Sequence, residues 1–177
     1  MTTALLIIDV QQALCSGEYE CFEIARVIDT INALSARARK AGVPVVLIQH
    51  EETGSPLAHD ADGWQLAQRL ETSPTDLRVR KTTGDSFYQT PLQKLLPKED
   101  FECLVICGLQ TDYCVNATLR QALKMGYDVV LAADAHSTVD NGNLAADDII
   151  AEHNKDWARL SGSVARIDVK PAASITL

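Results

Sequence analysis

A doubly wound α/β domain, with a mainly parallel sheet of about six strands between helical layers, is the fold the sequence predicts. Short apolar runs recur along the chain and are continuous rather than alternating, as strands buried on both faces of a parallel sheet require. Amphipathic stretches of helical period lie between them. Glycines and charge reversals mark the boundaries. The outcome is a Rossmann-like three-layer sandwich, expected as one domain over residues 1–177.

The strands are expected at Ala4 to Ile8, Val43 to Ile48, Cys103 to Cys107 and Val129 to Ala133. Leu77-Arg78-Val79-Arg80-Lys81 alternates instead and reads as a strand nearer the edge, and Val164 to Val169 as a weaker last strand. The first helix runs from Ile24 to Ala41, with Val27, Ile28, Ile31, Leu34 and Ala38 on one face. Glu18, Glu20 and Glu23 lie near its start; Arg37, Arg39 and Lys40 close it before Gly42, which suits the helix dipole and a glycine C-cap. Val115 to Met125, stopped by Gly126, and Leu144 to Leu160 complete the helices. No internal repeat, low-complexity segment or linker interrupts the pattern, and Glu51 to Gly63 is the least regular part and the expected pocket wall.

Composition excludes several classes. A formal net charge of −8 disfavours nonspecific nucleic-acid binding, which needs clustered Lys and Arg. No apolar run approaches the ~20 residues of a membrane span, and the N-terminus lacks the basic start of a signal peptide; a cytoplasmic location is expected. The five cysteines are odd in number and irregularly spaced, so they read as free thiols. Cys103 and Cys107 in one strand would stand ~13 Å apart at ~3.3 Å per residue, too far to share a metal ion. No glycine-rich phosphate loop follows the first strand, which counts against a nucleotide- or flavin-binding module.

Ligands of open parallel sheets bind beyond the carboxyl ends of the strands. That rule selects Asp9, His50, Lys81, the stretch Gly108 to Cys114, and Asp134. Cys114 follows a strand-to-helix turn in which Thr111 or Asp112 can serve as N-cap, so it falls in the first helical turn, where free N–H groups favour a thiolate. Asp9 ends an all-apolar strand and needs a partner there; a general acid/base role fits it. Lys81 is separated from Arg78 and Arg80 by strand alternation, although which face is solvated is not readable. His136 reads as a satisfied loop histidine and Asp112 as a cap.

Three segments in order, Leu6-Ile7-Ile8-Asp9-Val10-Gln11, Val79-Arg80-Lys81 with Ser86-Phe87, and Val105 to Val115, followed by Ala132-Ala133-Asp134-Ala135, resemble the isochorismatase-like cysteine hydrolase superfamily. Its members include nicotinamidases, N-carbamoylsarcosine amidases and ureidoacrylate hydrolases. The resemblance implies a catalytic triad of Asp9, Lys81 and Cys114. It implies a cis peptide at Leu109–Gln110, and an oxyanion hole from the backbone N–H groups of Gln110 and Cys114. It further implies hydrolysis of a small amide-type substrate through a thioester, and a homo-oligomer, dimer or tetramer. Phe87 sits where such proteins place a pocket aromatic. His50 and Trp64 are further pocket candidates: His50 either hydrogen-bonds in the pocket or packs at the strand end, and Trp64 either covers the pocket or a subunit contact or packs as an ordinary core residue.

Metal-containing relatives carry Asp-x-His after the second strand, where this chain has His50-Glu51-Glu52, with His59 downstream. The spacing departs from that site, so no metal and no cofactor is expected. The rival activity within the resemblance is isochorismatase-type ether hydrolysis, against which the nucleophilic cysteine tilts the reading.

Overall fold

The computed structural model describes residues 2–160 and 165–177. Six parallel strands form one sheet in the order β3-β2-β1-β4-β5-β6: β1 Thr3–Ile8, β2 Val45–His50, β3 Leu77–Lys81, β4 Cys103–Leu109, β5 Asp128–Ser137 and β6 Ile167–Lys170. The helices are α1 Gln12–Cys15, α2 Ile24–Lys40, α3 Leu92–Leu95, α4 Asn116–Lys124 and α5 Ala146–Ala158.

Strand periodicity explains the continuous apolar runs. Leu5, Ile7, Val45, Leu47, Val105 and Cys107 face one core layer with Val27, Ile31 and Leu34 of α2. Their neighbours Leu6, Ile8, Val46, Ile48, Leu104 and Ile106 face the other, with Leu119 of α4 and Trp157 of α5. Successive apolar residues of these central strands therefore enter opposite core layers. β3 lies at the edge and alternates: Arg78 and Arg80 are exposed, Val79 and Lys81 buried.

The boundaries differ from expectation in ways the backbone explains. β2 begins at Val45 rather than Val43, because the Val43 N–H bonds Ala38 O and the Gly42 N–H bonds Arg39 O. With Gly42 left-handed (φ 73°), this is a Schellman ending that draws Val43 into the helix terminus. β5 runs on past Ala133 to Ser137, following a register shift between Ile106 and Gly108 of β4. Asp134 is thus inside a strand, where its Oδ1 accepts the Ala172 N–H at 2.7 Å and ties down the C-terminal segment instead of entering the site. α5 is shorter than expected, starting at Ala146. The last strand starts at Ile167; Val164, in the expected range, lies outside the described residues.

The strand order reverses at β1, so the crevice between the ends of β1 and β4 is the switch point at which open α/β sheets bind ligands. Two backbone features shape it. Gly108 (φ 117°) lies so close to β1 that a Cβ there would stand 2.1 Å from Ile8 O, which only glycine allows. Asp9, next along, is itself left-handed (φ 52°), with its N–H on Ile48 O and its carbonyl accepting the Gln11 N–H.

Candidate active site

Asp9, Lys81 and Cys114 come together at this crevice from three separate strand ends. Lys81 Nζ donates to Asp9 Oδ2 at 2.8 Å, to Cys114 Sγ at 3.1 Å and to Thr83 O at 3.1 Å, with His50 Nδ1 at 3.4 Å. An ammonium has three hydrogens for these four acceptors, so the longest contact, to His50, is the weakest. Both members of the Asp9–Lys81 pair are buried, and Asp9 Oδ1 has no hydrogen-bond partner among the described residues. Burial opposes the Lys81 charge, yet the Asp9 carboxylate, the largest opposing influence, holds its pKa above the ordinary lysine value.

Cys114 differs from expectation in its protonation. Burial first, then the Asp9 charge, push its thiol up to about 12 against the pull of Lys81. The resting group is a thiol, and the helix-terminus argument for a thiolate does not carry the day. The helix also begins differently. A π-helical turn covers Thr111–Val115 before α4, and Gln110 occupies the N-cap position with no side-chain cap bond. Asp112 is no cap: its Oδ1 accepts the Thr138 hydroxyl at 2.6 Å. The Leu109–Gln110 peptide is cis.

Burial first, then the Lys81 charge, lower the pKa of His50, which leaves a neutral ring with Nδ1 turned to the ammonium. A carboxylate oxygen of Asp9, a ring nitrogen of His50 and Cys114 Sγ all lie within 4.8 Å of one another, the distances of a potential metal site. The cation among them is the Lys81 ammonium. Glu52 and His59 are not in that group; His59 pairs with Asp60 and packs its ring against Trp64 at 4.7 Å.

A cavity of about 310 Å³ adjoins the site, lined by Leu14, Tyr19, Glu52, Pro56, Leu57 and Gln110 among others. A wider groove of about 810 Å³ between α2 and Ala172 is lined by no residue of the β1–β4 crevice, whereas the smaller cavity reaches that crevice at Gln110. Trp64 is buried and lines a separate cavity with Gln49, Glu51, Arg80 and Lys81, on the β3 side of the sheet edge. Phe87 is buried, stacked on Tyr127 at 5.8 Å in the core layer against which Cys114 packs.

Sequence reasoning passed over the polar residues that hold these groups in place. Gln11, fully buried, donates to His50 O and Trp64 O and accepts the His50 N–H, clamping the end of β2. A second network supports the π-turn. Asn154 Nδ2 donates to Ala133 O, so its Oδ1 faces His136 Nε2 at 3.0 Å; His136 Nδ1 then accepts the Thr111 hydroxyl at 2.8 Å. His136 is therefore a neutral Nε2–H tautomer, and burial pulls its pKa down to about 4. Ser86 and Thr118, their hydroxyls 2.8 Å apart, join the loop after β3 to α4. The available signal was a polar residue inside an otherwise apolar segment, which marks a position without naming its partner.

Comparison with known proteins bears on this arrangement. The isochorismatase domain model matches residues 3–164. A streptothricin hydrolase of Streptomyces noursei is 45% identical over 140 residues, covering 77% of this chain and 50% of that protein. A second streptothricin hydrolase of that organism is covered to 55%, so the chain spans about half the length of these curated relatives. The ureidoacrylate amidohydrolase RutB of Pseudomonas savastanoi pv. phaseolicola is 28% identical, over 75% of this chain and 69% of that protein. A solved isochorismatase family protein superposes with a TM-score of 0.84 at 37% identity, covering 94% of this chain and 97% of that one. With the fold, the ordered strand-end residues and the family match in agreement, the chain belongs to the isochorismatase family.

Proposed function

We propose that the chain hydrolyses a small amide-type C–N bond through a thioester on Cys114. The observation that carries this reading is the buried Lys81 ammonium joining the Asp9 carboxylate at 2.8 Å to the Cys114 sulfur at 3.1 Å. The amidohydrolase among the relatives supports the bond type.

Because the resting sulfur is a thiol, the first step is a proton transfer. Asp9 takes the proton from Cys114, Oδ1 being the buried oxygen that has no other partner among the described residues. Lys81 loses nothing in this exchange: the negative charge moves from one of its hydrogen-bond acceptors to another. The sulfur attacks the amide carbon, and the oxyanion is received by the Gln110 and Cys114 backbone N–H groups, donors worth about 3 kcal/mol of barrier each. Asp9 returns the proton to the departing ammonia or amine. Water then enters, gives its proton to Asp9 and cleaves the thioester, which restores the thiol.

Ammonia release by Cys114→Ala protein, against a panel of small amides and ureas that the wild type turns over, tests the scheme. Turnover should fall by at least ~10³-fold while the circular dichroism spectrum and melting temperature stay near wild type. Undiminished release would rule the scheme out.

A further inference from the structure

We infer that the cavity that meets the crevice at Gln110 selects amides carrying a protonated amine or guanidinium, with Glu52 as the residue that recognises the cation. The inference rests on the amide-hydrolase reading of the same site and adds the substrate's charge to it.

Glu51 and Glu52 are successive glutamates at the end of β2, and they line two different cavities. Glu51 is neutralised: Arg80 Nε donates to its carboxylate at 2.8 Å, and that hydrogen bond is the first cause of its lowered pKa. Glu52 has no such partner among the described residues, and only its backbone is engaged. Its N–H bonds Leu57 O, and its carbonyl accepts both the N–H and the hydroxyl of Ser55. This turn holds the main chain at both ends and leaves the carboxylate free.

The rest of the wall offers no competing cation. Leu14, Pro56 and Leu57 are apolar, Tyr19 and Gln110 are neutral, and the Ser55 hydroxyl is already spent on Glu52 O and the Leu57 N–H. Lys81, the cation of the neighbouring triad, is buried and held by Asp9. Glu52 is close enough to act electrostatically on His50, which touches Lys81, so the carboxylate lies on the side of the cavity that faces the triad. A carboxylate with no partner, set in a neutral wall and with one end of the cavity at Gln110, is complementary to a substrate with a positive charge a few bonds from its scissile carbonyl. An anionic amide would meet Glu52 unpaired.

Matched probes test this. 4-Aminobutanamide and 6-aminohexanamide would be compared with pentanamide and heptanamide, which replace the ammonium by a methyl group. Ammonia release gives kcat/KM on wild-type protein, and calorimetry on Cys114→Ala protein gives affinity without turnover. At low salt at least one cationic probe should exceed its uncharged partner by about fivefold, the scale of a solvent-accessible ion pair, and the preference should shrink as salt is raised. Glu52→Gln should bring the ratio of cationic to uncharged probe to about one, and Glu52→Lys should invert it. Equal or weaker binding and turnover of both cationic probes on the wild type, or a preference that survives Glu52→Gln, would overturn the assignment. Turnover without charge preference would overturn it and leave the amidase reading standing. Charge-dependent binding lost in Glu52→Gln, without turnover of any amide, would support it and sink the amidase reading.

Discussion

At the scale of single residues, one ammonium group joins the reactive side chains. Lys81 is buried beside a buried carboxylate and a thiol, and removing it would leave Asp9 charged with no compensating partner. Truncating one member of a buried pair costs about 3–5 kcal/mol, mostly from the stranded charge. Lys81→Met should therefore lower unfolding free energy in urea by about that amount, and the double variant Asp9→Asn/Lys81→Met by clearly less than the two single losses combined. Strict additivity would contradict the pairing. These residues were legible in different degrees. Asp9 stood out as a charge closing an apolar strand. Lys81 was separable from Arg78 and Arg80 by parity, but the buried parity depends on which layer covers β3, and local sequence does not state that. Cys114 meets Lys81 as the resemblance implied, but the thiolate expected there is opposed by burial and by the Asp9 charge, which come from residues far away in the chain.

At the scale of elements, the π-turn Thr111–Val115 is fixed from beneath by β5 and α5 through the chain Thr111–His136–Asn154–Ala133. The sequence reading of His136 as a satisfied histidine holds, but its partners were not readable, since β5 was expected to stop at Ala133 and His136 to lie in a loop. The register shift opposite Gly108 lets the strand continue, and a shift of that kind has no sequence signature. The network carries a pH dependence. His136 has a folded pKa of about 4 against 6.5 unfolded, so the unfolded chain binds the proton more readily. Its contribution is fully present above pH 6.5 and is lost as pH falls from 6.5 toward 4, by about 3 kcal/mol in all. Urea unfolding between pH 7 and pH 4 should show this loss. His136→Gln, which cannot titrate, should be less stable at pH 7 and show a flatter profile; an unchanged slope would assign the acid sensitivity elsewhere.

At the scale of the whole molecule, the parallel sheet and its covering helices were legible because burial on both faces writes itself into the strands as unbroken apolar runs. Strand order was not, since each run looks alike and only the crossover geometry sorts them. The rule that ligands sit beyond strand ends nevertheless led to the crevice at the switch point, because Asp9 and Gln110 follow the two strands, β1 and β4, between which the order reverses. Pocket residues were the least legible part. Trp64 and Phe87 are aromatic positions whose neighbours, His59 and Tyr127, are set by loop paths and by the docking of α4. The central claim, that Cys114 forms the covalent bond, is tested most directly by intact-mass spectrometry of wild-type protein quenched in acid during turnover of an accepted amide. The predicted result is a mass gain equal to the acyl portion of that amide, mapped by peptide digestion to Cys114. Ammonia release accompanied by an acyl group on any other residue would contradict it.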